Sequence, residues 1–264
     1  MFISVEIRYM LSKITKSAMT VGTAAGCLLM TAGSANAVSF TTNFSPNSPV
    51  ATENIFLDSV TFGNQSPIDF SDLAVVSGAT IISNTQISTD PINNSDNEGA
   101  ASADVGDNAT GGVELEQLTP GDAASENAIV QNLSSNNLNH IIDTEDNGAF
   151  EITLNFDKAF NTLLLWERGQ NSKIGVKIGS NDLGMFDSAS FDYTGFDINT
   201  TEIGGAQKVG SQGIKLSDFG ISGSVNEITL YANSNFRGPD FKVAGATVPE
   251  PATVLGLTAV AGAF

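Results

Sequence analysis

The sequence predicts an all-β protein, an antiparallel β-sandwich of jelly-roll type with long acidic loops. Three observations carry that expectation. Between residues 148 and 245, apolar residues alternate with polar ones or form short unbroken runs, as strands require. Gly, Asn, Asp, Ser and Pro punctuate those runs, which is turn chemistry. No stretch in this region has a helical period, so evenly spaced short strands favour a sandwich.

The elements follow in chain order. From 38 to 82 the chain holds short apolar patches: Val38-Ser39-Phe40, Ile55-Phe56-Leu57, Val60-Thr61-Phe62 and Ile81-Ile82. From 83 to 140 it is polar and acidic, with Asp90, Asp96, Glu98, Asp104 and Asp107 among Asn, Ser, Gly and Ala. This zone reads as long, partly disordered loops with one or two weak strands. Beyond it, Phe150, Ile152, Leu154 and Phe156 alternate with Glu151, Thr153 and Asn155, giving a strand with one buried face. Leu163-Leu164-Leu165-Trp166 is a continuous apolar run and should lie deeper. Ile174, Val176 and Ile178 form another alternating strand. Val225, Ile228, Leu230 and Ala232 lead to a last strand with Phe241 and Val243. Turns are expected at Asp157-Lys158, at Arg168-Gly169-Gln170-Asn171 and at Arg237-Gly238-Pro239-Asp240. Residues 38–245 thus read as a single domain.

The two ends carry a different message. Residues 1–37 have the three parts of a secretory signal peptide. Arg8, Lys13 and Lys16 supply the positive start, Ala18 to Met30 an uncharged apolar run, and Ala35 and Ala37 the small residues a signal peptidase requires. Cleavage is expected after Ala37, and Met10 would also serve as a start. The run is too short and too rich in Gly and Thr for a transmembrane helix, which needs about 20 apolar residues. The single cysteine, Cys27, lies inside this segment; Ala-Ala-Gly-Cys there is only weakly like a lipoprotein box, because its apolar residues follow the Cys. A processed chain would have neither a disulfide nor a thiolate metal site.

Charge narrows the partners. The whole chain carries a net charge of −18, and without residues 1–37 it keeps 8 basic and 28 acidic residues. Such a surface disfavours nucleic acid and anionic membranes, which select basic patches. Solubility is the simplest use of the charge.

At the C-terminus, Val248-Pro249-Glu250-Pro251-Ala252-Thr253 precedes a Gly/Ala/Leu-rich run to Phe264. This arrangement resembles the PEP-CTERM sorting signal, a Pro-Glu-Pro motif followed by a transmembrane helix and a basic tail. The resemblance implies recognition by an exosortase, a transpeptidase-like membrane enzyme, with transient membrane association of residues 246–264. Physically, Pro249 and Pro251 would hold an extended, accessible segment. The apolar stretch Ala252–Phe264 is shorter than a span and no basic residue follows it, so either the chain is truncated or the signal is degenerate. Ile141-Ile142-Asp143-Thr144-Glu145-Asp146, Leu165-Trp166-Glu167-Arg168-Gly169 and Gly238-Pro239-Asp240-Phe241 are similar to a cyanobacterial family of exosortase-dependent surface proteins. That likeness implies the cell surface or extracellular matrix and carries no activity.

A search for chemistry yields little. His140 is the only histidine and no Gly-x-Ser-x-Gly occurs, so it reads as a loop residue and no catalytic residue is assigned. Trp166 follows three leucines and reads as core, not as a sugar platform. Glu167 and Arg168 read as a charge pair at a strand end. Asp143, Glu145, Asp146 and Asp240 are the candidate calcium ligands, since hard oxygen donors suit that ion. The expected function is therefore non-enzymatic, as an exported structural or adhesive protein. A carbohydrate-binding jelly-roll module that engages extracellular polysaccharide is the alternative, and a polysaccharide hydrolase ranks behind both.

Overall fold

A strand whose every side chain is buried needs apolar partners on both faces. Leu163, Leu164, Leu165 and Trp166 are in that position. A computed structural model describes residues 37–85, 125–142, 144, 149–199 and 205–249, all within one unit spanning Ser34–Phe264. The described chain is mostly β. Its strands are β1 (Ala37–Val38), β2 (Thr41–Ser45), β3 (Phe56–Thr61), β4 (Ile68–Asp69) and β5 (Val76–Thr85), followed by helix α1 (Glu126–Ser134). Then come β6 (Ala149–Phe160), β7 (Thr162–Arg168), β8 (Lys173–Ile178), β9 (Asn181–Asp187) and β10 (Asp192–Ile198). The last are β11 (Gln207–Lys215), β12 (Val225–Ala232) and β13 (Asp240–Ala246).

All the strand pairs are antiparallel. One sheet runs β5-β6-β12-β8-β9, a second β1-β11-β7-β13 with β10 also on β11, and a third β2-β3-β4. The second sheet is the middle layer. Its Leu163, Leu165, Ile214, Phe241 and Val243 share a core with Ile152, Leu154, Val176, Ile228 and Leu230 of the first sheet. Its Leu164, Trp166, Val209 and Ala244 share another with Leu57, Val60 and Phe62 near the third. Neighbouring residues on a strand point to opposite faces. The unbroken apolar run of β7 is thus explained by packing on both sides. Trp166 is core, as expected: it meets Phe40 edge-on at 5.3 Å and donates from Nε1 to Thr42 Oγ1 at 2.9 Å.

Two sequence expectations are corrected. Asp157-Lys158 is not the turn after the first alternating strand, because β6 continues to Phe160. Asp157 exchanges hydrogen bonds with Val75 through its N–H and its Oδ1, which keeps the strand paired. The zone read as long loops contains α1. Ser125 caps it by accepting from Ala128 N–H, and Ala128, Ile129, Asn132 and Leu133 form its buried side. Glu126 Oε1 also accepts from Ile81 N–H, tying the helix to β5. Among the described residues no helix is long and apolar enough to cross a membrane.

Candidate functional site

The polar chemistry gathers where β7 and β13 meet their turns. Arg168 pairs across the ladder with Asp240, and Glu167 with Phe241. Arg168 donates from Nε and Nη2 to Asp240 Oδ2 at 3.2 and 3.0 Å, with its side chain only 1% exposed. Asp240 Oδ1 accepts from Thr144 N–H. Such a buried pair matters mainly because losing one partner strands the other's charge.

Glu167 points the other way, so the expected Glu167–Arg168 pair does not form. Adjacent strand residues cannot share a face. Glu167 is also buried, and it accepts from Gln170 N–H at 2.7 Å and Ser172 Oγ at 2.6 Å. Burial pushes its carboxyl up to about 8, against the lowering effect of those donors, with Asp240 adding repulsion. Ser172 and Ser188 close the network: Ser172 N–H donates to Ser188 Oγ, and Ser188 donates from both N–H and Oγ to Ser172 O.

Above this network lies an open cleft of about 490 Å³ between the β7–β8 and β12–β13 turns. Gln170 and Asn171 come from the first turn, Asn235, Phe236 and Arg237 from the second, and Lys173, Asp187 and Ala189 complete it. Among the described residues, Gln170 (φ 51°) and Arg237 (φ 60°) are the non-glycine residues with positive φ. Each costs about 1–2 kcal/mol relative to an ordinary conformation. Strain of this kind is kept where a loop must hold one shape, often at ligand sites.

A second cleft, of about 350 Å³, lies between the start of β10 and the β1–β2 segment. Half-exposed Tyr193 stands there with Asp192, Thr194, Thr41, Thr61 and Ser211. Tyr193 donates to Asp197, and Lys208 Nζ lies 5.4 Å from its ring centre. The arrangement offers an aromatic surface beside several hydroxyl groups.

A third polar group is sealed from solvent. Lys242 is 2% exposed and donates to Asn132 O at 2.8 Å and His140 O at 3.1 Å, closing the C-terminal end of α1. Desolvation lowers its amine to about 7. His140 is in a loop as expected, but it is buried, with Ser135 Oγ at Nδ1 and Asn137 Nδ2 at Nε2. Burial, then the nearby Lys242, lowers its imidazole to about 4. Neither group lines either of the two clefts. Sequence reasoning missed Lys242 because one lysine in a strand normally marks a solvated face.

The remaining sequence candidates divide. Ala37 lies in β1, paired with Ile214, and Ala35 lies outside the described residues. Pro249 is exposed just beyond β13, while Glu250 and Pro251 are outside the described residues, as are Asp143, Glu145 and Asp146. Asp240 gives Oδ2 to Arg168 and Oδ1 to Thr144 N–H. Among the described residues no group of three or more His, Cys, Asp or Glu could hold a metal. No protein-family model matches the chain, and no curated protein matches it either.

Proposed function

We propose that the chain is an exported, non-enzymatic protein of the cell surface or extracellular matrix. It would carry a jelly-roll sandwich as its adhesive body and be sorted by an exosortase. The reading rests on the likeness of its two ends to a signal peptide and a PEP-CTERM motif. One structural observation supports it. Asn161 grips the departing chain at Val248, accepting its N–H at Oδ1 (2.9 Å) and donating from Nδ2 to its carbonyl (2.8 Å). The next residue, Pro249, is exposed. Processing at the motif would therefore leave every described strand intact.

The test is expression of the full chain in a host with and without an exosortase, followed by intact-mass measurement of each fraction. Exported protein beginning at Val38 is expected, with enzyme-dependent loss of residues after the motif. Recovery of the unprocessed chain from the cytoplasm of both hosts would overturn the reading.

A second reading, carbohydrate binding, is favoured by the cleft that sets Tyr193 among hydroxyl-bearing side chains. Aromatic faces and converging hydrogen-bonding groups are what a sugar ring needs. Calcium would be held by Asp143, Glu145, Asp146 and Asp240. A higher melting temperature at millimolar calcium is the expected result, and an unchanged one removes the metal from the proposal.

A further inference from the structure

We propose that the cleft between the β7–β8 and β12–β13 turns binds the carboxylate of an acidic saccharide unit, with Arg237 as the principal contact and Lys173 as a second cation. The inference rests on the carbohydrate-binding reading and assigns it a second site with a charge preference.

Charge distribution is the first argument. The chain carries 11 basic against 29 acidic residues, yet this cleft has two cations and one carboxylate. Most other described cations are occupied. Lys158 donates to the carbonyls of Ser71 and Leu73, Lys177 pairs with Glu151, and Lys208 lies over Tyr193. Arg168 and Lys242 are inside the fold. Arg237 is exposed, and Lys173 has only a long contact to Asp187, 3.9 Å with both side chains near half exposed. Asp187 directs its other oxygen to Ala189 N–H.

Shape and chemistry supply the second. The volume falls in the range of small-molecule sites. Arg237 presents a planar fork that matches a carboxylate, while the exposed side-chain amide of Asn235 can meet hydroxyl groups and Gln170 is held in place by donating from Nε2 to Phe191 O at 2.7 Å. The left-handed backbone at Arg237 and Gln170 fixes both turns, so less order remains to be imposed on binding. Dense polyanions such as nucleic acid are repelled by the surrounding acidic surface. A polymer with spaced carboxylates meets less repulsion and can still reach a local pair of cations.

The experiment is affinity electrophoresis of the full-length protein at low salt, in gels containing polygalacturonate or neutral dextran. Wild type should be retarded by polygalacturonate and not by dextran, and added salt should weaken the effect. Arg237→Ala should reduce retardation at least about tenfold, Lys173→Ala less, and Arg237→Lys should restore part of it. Equal retardation in both gels would overturn the charge preference while leaving carbohydrate binding in place. Absence of retardation by polygalacturonate, or an Arg237→Ala protein that migrates like wild type, would overturn the site itself. Melting curves of each variant establish that the comparison is between folded proteins.

Discussion

Replacing Lys242 with Met should reverse the sign of its effect on stability as pH rises. The amine has a folded pKa of about 7 against an ordinary 10.5. Between those values the unfolded chain binds more protons, so the contribution of Lys242 to stability increases with pH across that window. At about 1.4 kcal/mol per unit, burial of the ammonium costs on the order of 5 kcal/mol near pH 6 and about 1 kcal/mol near pH 10. Set against this are the two hydrogen bonds to Asn132 O and His140 O, worth about 1 kcal/mol each. Met fills a similar volume and forfeits both. Lys242→Met should therefore be about 3 kcal/mol more stable than wild type near pH 6 and about 1 kcal/mol less stable near pH 10. Urea denaturation at three pH values, read by fluorescence of Trp166, the chain's only tryptophan, measures this directly. A difference that stays constant with pH would refute the reasoning, since it would mean the amine keeps its ordinary affinity for protons in the folded state.

Three further outcomes are expected at the ends of β7 and β13. Glu167 has a raised folded pKa of about 8, so its contribution is full below the unfolded value of 4.5 and is lost as pH rises through 8. Glu167→Gln should flatten that decline, so that its stability relative to wild type improves by about 4 kcal/mol between pH 4 and pH 8, measured by urea titration across the window. Asp240→Asn removes the carboxylate to which two N–H groups of buried Arg168 donate and should cost about 1.5–3 kcal/mol in the same assay. At Arg237, Gly accepts the left-handed backbone and Val does not. Thermal melting should find Arg237→Gly within about 1 kcal/mol of wild type and Arg237→Val lower by about 2 kcal/mol.

How legible these features were depended on whether a residue's neighbours in sequence were also its neighbours in space. β6, β8 and β12 announce themselves by period-two alternation, because each has one face in a core and one in solvent. β7 reads as deep because both of its faces are covered. β11 was missed although it stands beside β7. Its Gly210 and Gly213 weaken the apolar signal, and the fold requires them. A Cβ at Gly210 would come within 2.8 Å of Phe191 Cβ, and one at Gly213 within 2.7 Å of Val38 O. Helix α1 was hidden by length and setting: nine residues with a single buried stripe, inside a polar stretch. Its cap, Ser125 ahead of Ala128, Ile129 and Leu133, was the available signal. The cleft was harder still. Gln170 and Arg237 were placed in turns, yet nothing in one dimension brings two turns 67 positions apart to the same opening.

The grip of Asn161 on Val248 has a mechanical consequence. A load applied through the chain beyond Pro249 would reach that clamp first and β13 next. β13 is joined to β7 along all seven of its residues, and its other edge is stitched by bridges to Ala74 and Ile142. Pulled along its length, the strand is loaded in shear, so its hydrogen bonds must fail together and cannot unzip in turn. The exit from the fold is thus built from a strand paired on both edges, and tension on the tail would be borne by the central sheet before any loop of the clefts is disturbed.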